Sequence, residues 1–366
     1  MTAPLPAGAT IGIVGGGQLG RMLAMAAARL GYRTIILEPQ AGCPAAQVAN
    51  RQIVAAYDDA AALDELARAC AVVTYEFENV PVAAAERLAA SLAVLPPPQA
   101  LEMAQDRLTE KTALNAMGIS TARFTAVDSD DDLAAALAAF GGDGVLKTRR
   151  LGYDGKGQRV FRSASAADAE GAFGGLGGVP LILESLVPFE REISVIAARG
   201  QDGGLAAYDA AQNVHRNGIL HSSTVPAAAA PATLSAAREA AFSILDGLGY
   251  VGVIGVEFFA LADGSVLVNE IAPRVHNSGH WTEAACVVSQ FEQHIRAVAG
   301  LKLGDSARHS DCVMENLIGD DILRAPALLA EPALMLHLYG KEEARPGRKM
   351  GHFTRLTAPR GAASSR

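Results

Sequence analysis

Residues 253–282 read VIGVEFFALADGSVLVNEIAPRVHNSGHWT, two apolar runs on either side of Asp263-Gly264. An Asp-Gly pair so flanked signals a two-residue hairpin turn, and hence two antiparallel strands. That turn sets Glu257, six residues before it, directly opposite Glu270, six residues after it. Like charges facing each other weaken a sheet, and these strands are otherwise so apolar that the pair reads as buried. A hard divalent ion with oxygen ligands turns the repulsion into a site, and Mg2+ carrying a nucleotide phosphate suits this donor set. The bland alternatives are a solvent-exposed pair, or one carboxylate kept protonated. If the strand continues, alternation sends Arg274 and His276 to the face of Glu270.

Further back, 144–161, GVLKTRRLGYDGKGQRVF, reads as strand, glycine-rich turn and strand. Gly152, Gly155 and Gly157 free the backbone, while Lys147, Arg149, Arg150, Lys156 and Arg159 surround it with cations. Backbone N–H groups and ammonium charge together neutralise a polyphosphate once water is expelled, so this hairpin is suited to be a lid. A solvated basic loop is the plain alternative.

The N-terminal part is of another kind. Short β-rich runs (Ile11–Val14, Thr34–Leu37, Val72–Tyr75) alternate with Ala/Leu-rich helical stretches (Gln18–Leu30, Ala60–Ala69, Pro81–Ala90), which predicts a doubly wound parallel sheet. Pro96, Pro97 and Pro98 stop the alternation; a helix over Gln99–Met117, closed by Gly118, then opens a second domain near residue 100. Gly15, Gly17 and Gly20 carry G-x-G-x-x-G spacing directly after the first strand, and Glu38 ends the next one. This is the layout of a dinucleotide site, though a lone match is weak evidence.

Composition narrows the field. The 366 residues are 50% apolar and 19% charged, as in a globular protein with room for two or three domains. The formal charge of −8 argues against a general nucleic-acid or anionic-membrane binder. Cys43, Cys70, Cys286 and Cys312 are far apart and form no C-x-x-C pair, so they suggest neither a disulfide framework nor a structural zinc site, which fits a reducing cytoplasm. Neither a membrane-spanning run nor a signal peptide is expected. His221, His294, His309 and His337 lack ligand spacing and read as surface or packing residues, and Trp281 as core.

Taken together, LKTRRLGYDGKGQ, LILESLVPFEREISV, NVHRNGIL, NEIAPRVHNSGHWT and RPGRKMGH resemble the N5-carboxyaminoimidazole ribonucleotide synthetases, purine-pathway carboxylases of the ATP-grasp superfamily. The likeness runs from about Gly12 to His352. It implies a doubly wound N-terminal domain (1–98), an ATP-grasp domain (99–308) with a lid at about 120–187, and a small C-terminal domain (309–366). ATP is then contacted by Arg107, Lys147, Gly152, Tyr153, Asp154, Gly155, Lys156, Gly157, Gln158, Glu184, Ser185, Leu186, Val187, Glu192, His215, Asn269 and Glu270, with Mg2+ on Glu257 and Glu270. The glycine turn serves a ribonucleotide in place of a dinucleotide, with Gln18, Leu19 and Glu76 against it. Arg345 and Lys349 are expected at the substrate phosphate, the choice among them and Arg348 staying open.

The reaction implied is carboxylation of 5-aminoimidazole ribonucleotide by bicarbonate through carboxyphosphate, with ATP cleaved to ADP and phosphate. Arg274 is placed on bicarbonate; Tyr153, Asp154, His276 and Asn277 orient the amine and handle its proton. A cytoplasmic homodimer is implied. Two departures stand out: Ala272 where many ATP-grasp enzymes have a metal-binding Asn, and Val275 where close relatives more often have Pro. The rivals are a formate-dependent glycinamide ribonucleotide transformylase, a biotin-dependent carboxylase, a nicotinamide dehydrogenase and a non-catalytic nucleotide-binding regulator. The dehydrogenase leaves the facing glutamates and the cationic hairpin unexplained, and the regulator has no use for an intact lysine, carboxylate and arginine set.

Overall fold

The computed structural model describes residues 3–152 and 156–359, which form three sheets. The first is parallel, ordered Arg51–Ile53, Arg33–Leu37, Thr10–Val14, Val72–Tyr75, Ala93–Val94. Its central strands are almost wholly buried because helices cover the sheet, so they read as continuous apolar runs. Helix Gln18–Arg29 turns Met22 and Leu23 into a core shared with Phe291, Ile295 and Val298 of helix Gln290–Val298. The N-terminal layer is thereby fixed against the rest of the molecule.

The second sheet is antiparallel and runs Val266–Ala272, Gly252–Leu261, Phe189–Arg199, Ala211–Arg216, Ile219–Val225, Ser310–Ile318, Lys349–Pro359, Leu334–Leu338. Its last three strands come from the C-terminal segment, which extends this sheet through the pairing of Ile219–Val225 with Ser310–Ile318. The third sheet, ordered Phe124–Val127, Leu181–Glu184, Gly144–Thr148, Gln158–Phe161, has a core of its own beneath helix Asp130–Ala139. Among the described residues no helix is long and apolar enough to cross a membrane.

Two local expectations need correction, and both corrections bear on the site. The single helix read over Gln99–Met117 is two, Pro98–Ala104 and Arg107–Ala116. Asp106 interrupts it by capping the second helix, accepting from Leu108 N and Thr109 N at 3.0 and 3.2 Å, while Gln105 donates to the carbonyls of Glu78 and Val80. The break makes Arg107 the first residue of its helix.

The hairpin does place Glu257 opposite Glu270, but by another route than a two-residue turn. Beside the loop Ala260 pairs with Val266, and Leu261 N donates to Ser265 O, so the loop has one residue more, with Gly264 at φ +85°. A bulge at Asn269, between the pairs Phe258–Val268 and Glu257–Glu270, then restores the register. Its cause lies elsewhere in the chain: Val268 N donates to Ser120 O at 2.9 Å, and Lys111 Nζ donates to Asn269 O at 2.7 Å.

Candidate active site

A cleft of about 590 Å³ opens between the third sheet, the antiparallel sheet and the N-terminal layer. On its floor stand Glu257 and Glu270. Burial, then the facing Glu270, pushes the Glu257 carboxyl up to about 7. Burial acts the same way on Glu270, yet Arg107, whose Nη1 donates to its Oε2 at 2.9 Å, holds it down at about 2. Glu270 is thus paired with a cation of the protein's own, whereas Glu257 feels only the weaker attraction of His215 and Lys349. An added divalent ion would satisfy both, and the all-oxygen donor set is what Mg2+ takes; the residues therefore fit the metal.

Arg107 Nη2 also reaches Gly152 O of the lid hairpin at 3.3 Å, and its backbone N donates to Arg149 O at 2.9 Å. The helix start created by Asp106 is therefore what joins Glu270 to the glycine-rich hairpin. Asp106 adds an ion pair to Arg149 at 2.8 Å. Lys147 projects from the strand Gly144–Thr148 and donates to Glu184 Oε2 at 2.9 Å; burial pulls its ammonium below its ordinary range, and Glu184 opposes that fall. Across the cleft His215 pairs with Glu192, whose hydrogen bond raises the imidazole against the effect of burial.

The segment after Ala272 forms the other end of the cleft. Arg274 Nε donates to Glu78 Oε2 at 2.5 Å and Nη1 to Val275 O at 3.1 Å, leaving guanidinium donors for an anion. Burial, reinforced by Arg274, brings the His276 imidazole down to about 3, so it is neutral at working pH. Its Nδ1 accepts from Ser278 N at 3.4 Å, which puts the ring proton on Nε2, 3.6 Å from Glu257 Oε1. His276 thus presents a donor and not a base. Both polar atoms of the Asn277 amide and Oδ1 of Asn269 are buried at the cleft wall with no partner among the described residues, as expected of groups that a ligand completes.

Of the residues singled out from sequence, Gln18, Leu19, Arg107, Lys147, Gly152, Lys156, Gly157, Gln158, Glu192, His215, Glu257, Asn269, Glu270, Arg274, His276, Asn277 and Lys349 line this one cleft. Tyr153, Asp154 and Gly155 lie outside the described residues. Glu184 sits behind the wall, its Oε2 between Lys147 and Lys111, and Ser185, Leu186 and Val187 connect the lid sheet to the strand Phe189–Arg199 without lining the cleft. Arg345 is exposed and paired with Glu343, away from the cleft wall.

Glu76 is also off the cleft wall, 8% exposed. Its carboxylate accepts from Gly17 N and, at 2.6 Å, from Gly20 N, while Glu38 Oε2 accepts from Gly16 N at 2.9 Å. The amides that a pyrophosphate would occupy in a dinucleotide fold are taken by internal carboxylates. A Cβ at Gly15 would stand 2.4 Å from Glu76 Cγ, so the glycine admits this carboxylate and not a cofactor. The dehydrogenase reading ends there; what the turn offers the cleft is Gln18 and Leu19.

Three residues escaped the sequence reading: Glu78, which holds Arg274; Lys111, fully buried against Glu184; and Glu110, whose carboxyl burial raises to about 8. Glu78 lies within TYEFENVP. Glu110 and Lys111 follow Arg107 by three and four residues, the spacing that puts side chains on one helix face, and that spacing was the available signal.

Comparison with known proteins agrees with this geometry. Residues 8–105 match the ribonucleotide synthetase preATP-grasp domain, 112–291 the ATP-grasp domain, and 312–366 the phosphoribosylaminoimidazole carboxylase C-terminal domain. The N5-carboxyaminoimidazole ribonucleotide synthase of Brucella melitensis is 66% identical over 96% of this chain and 97% of its own. That of Pseudomonas aeruginosa is 44% identical over 97% of each. Among solved structures, an ADP complex of an N5-carboxyaminoimidazole ribonucleotide synthetase superposes with a TM-score of 0.93 at 44% identity, covering 98% of this chain and 94% of that one. The Aspergillus clavatus enzyme in complex with ADP and 5-aminoimidazole ribonucleotide gives 0.90 at 32%, covering 96% and 94%. With relatives this similar over nearly their whole length, the chain belongs to the N5-carboxyaminoimidazole ribonucleotide synthase family.

Proposed function

We propose that this chain is the ATP-dependent ligase that carboxylates the exocyclic amine of 5-aminoimidazole ribonucleotide with bicarbonate, forming N5-carboxyaminoimidazole ribonucleotide, ADP and phosphate in purine biosynthesis. The observation that carries the reading is one continuous cleft. It has the facing Glu257 and Glu270 beneath the cationic hairpin at one end, and Arg274, His276 and Asn277 at the other.

Bicarbonate is a poor electrophile, and transfer of the γ-phosphoryl group to one of its oxygens gives carboxyphosphate, from which phosphate can leave. Lys147 and the amides of the lid hairpin stabilise charge spreading over the transferring group. Glu257 and Glu270 would hold Mg2+, which would supply positive charge to the phosphoryl transfer. With Ala272 at the third position of the Glu-x-Ala sequence, one side-chain ligand is missing from that set.

Arg274, braced by Glu78, holds the bicarbonate. The amine nitrogen attacks the carboxyl carbon, or CO2 set free from it; phosphate departs and the amine loses a proton. His276, in its neutral Nε2–H form, orients by donating a hydrogen bond, and Asn277 adds an amide donor and acceptor. Gln18, Leu19 and Lys349 receive the ribonucleotide, Lys349 toward its phosphate, and Glu76 acts through the turn that presents Gln18. Tyr153 and Asp154 take the lid side of the amine by resemblance alone. The setting is cytoplasmic and the assembly a homodimer, which sedimentation checks.

The test is phosphate release from ATP with each candidate amine, with and without bicarbonate, with rapid trapping of the carbamate. Release should require bicarbonate and rise strongly with 5-aminoimidazole ribonucleotide, without biotin or NAD(P). Turnover of formate and glycinamide ribonucleotide in its place overturns the substrate assignment and leaves the fold standing.

A further inference from the structure

A second group of ligating side chains lies outside the cleft, where the C-terminal strands meet the chain just beyond the segment carrying Arg274 and His276. His337 and His352 are direct partners across the antiparallel ladder of Leu334–Leu338 and Lys349–Pro359, so the backbone fixes both side chains side by side. Glu283, on the short helix Thr282–Ala285, points its carboxylate at both. Its Oε2 is 3.2 Å from His337 Nδ1 and 3.6 Å from His352 Nε2, and the three donor atoms all lie within 4.8 Å of one another. None of the three residues lines the cleft.

Hydrogen bonding accounts for the first contact and not the second, which is too long for one. A tetrahedral ion with bonds of about 2.0–2.1 Å holds its ligand atoms about 3.4 Å apart, between the two observed separations. The surroundings are those of a metal ligand set. The fully buried Tyr339 bonds through its hydroxyl to His352 Nδ1 at 2.9 Å, which fixes the ring with Nε2 toward Glu283. His280 packs on the other side of His352, ring centroids 4.6 Å apart. The Glu283 side chain is 16% exposed, and this gives an ion its way in.

We propose that Glu283, His337 and His352 form a metal site, separate from the Glu257–Glu270 pair, that takes a zinc-class divalent ion and staples the C-terminal strands to the ATP-grasp domain. Two imidazoles and one carboxylate select an ion softer than Mg2+. The role is structural: Lys349, on the cleft wall, precedes His352 by three residues on the same strand, so the staple holds that lysine in place.

The test uses the full-length protein, stripped with a chelator and titrated with Zn2+ under saturating Mg2+, with bound metal measured after equilibrium dialysis. One Zn2+ per chain is expected. Co2+ in its place should show the strong visible absorption of a four-coordinate ion. Tyr339→Phe should weaken Zn2+ binding about 10–100-fold, and His337→Gln should abolish the Co2+ absorption. Circular dichroism establishes that each variant is folded. If His337→Gln does not fold, Glu283→Gln takes its place, and the wild-type stoichiometry decides alone if neither folds. Wild-type protein that retains no Zn2+, a Co2+ spectrum of the hexahydrated ion, or equal affinity in wild type and a folded variant overturns the proposal.

Discussion

Two regions of this molecule bring paired carboxylates to glycine-containing turns, and they use them in opposite ways. At the N-terminal turn Glu76 and Glu38 point at backbone amides and spend their accepting capacity on Gly16, Gly17 and Gly20. At the hairpin Glu257 and Glu270 point at each other; Arg107 answers one of them, and the Glu257 carboxyl is left near 7. The first arrangement is complete and structural. The second is short of positive charge at Glu257, and this deficit, more than the residue types, makes it a candidate binding site. The glycine motif with its acidic partner was weak evidence in sequence, and the amides of Gly16, Gly17 and Gly20 are indeed answered from within.

The sharpest way to break this comparison is to neutralise the hairpin carboxylates one at a time. Glu257→Gln and Glu270→Gln should each lower Mg2+-dependent turnover about 100-fold or more. Their stabilities without ligand should move in opposite directions. Glu257→Gln removes a buried repulsion and should raise the urea midpoint, whereas Glu270→Gln strands Arg107 and should cost about 1–2 kcal/mol, since the pair is partly open to the cleft. Equal stability changes in the two variants would show that the pair is not asymmetric.

The same asymmetry sets the pH dependence. Glu257 is raised to about 7 in the fold from an ordinary carboxyl value, so its unfolded form ionises first and its contribution to stability falls as pH climbs toward 7. Glu270 is held at about 2, so its contribution is present above the ordinary carboxyl range and is lost as pH falls toward 2. Unfolding of the unliganded protein between pH 4.5 and 7 should therefore show a downward slope that Glu257→Gln reduces by about 1–3 kcal/mol, while the part due to Glu110, raised to about 8, remains.

How much of this could be read beforehand follows from where the causes lie. The centre of the parallel sheet was legible because local alternation dictates it: its three central strands and the three helices agree with the sequence pattern to within a residue or two, while the short edge strands Arg51–Ile53 and Ala93–Val94 were not read. The facing glutamates were legible for an incomplete reason. The loop is one residue longer than an Asp-Gly turn, and the bulge at Asn269 cancels the difference. That bulge depends on Ser120 and Lys111, remote in sequence, so no local pattern could disclose it. The helix break at Asp106 is similar, since Gln105 is drawn aside by carbonyls of residues 78 and 80. Long motifs found the cleft wall and Glu184 behind it, but not Glu78 and Lys111, which act only through Arg274 and Glu184.

Extending the comparison to cations separates Lys349 from Arg345, which the sequence could not. Lys349 lines the cleft, and Lys349→Ala should raise KM for the ribonucleotide about 10-fold with KM for ATP little changed. On the carboxylate side, Glu76→Gln weakens two amide contacts at a helix start, and a loss of about 1–3 kcal/mol in unfolding free energy is expected. Its KM for ATP should stay within about twofold of wild type, since the residue acts on the glycine turn and not on the phosphates.

The smallest effect belongs to Arg345→Ala. Arg345 is solvent-exposed and its guanidinium is already answered by Glu343, two residues away in the same loop. An exposed ion pair of this sort contributes little, and salt screens it further. Replacing Arg345 should accordingly leave both KM values and turnover within about twofold of wild type. The decisive measurement is KM for the ribonucleotide at low and high salt. A rise comparable to that of Lys349→Ala, fading as salt is added, would mean that Arg345 leaves Glu343 to reach the substrate phosphate. An answered charge would then not mark a residue as structural, and the distinction drawn between the glycine turn and the hairpin would need a different basis.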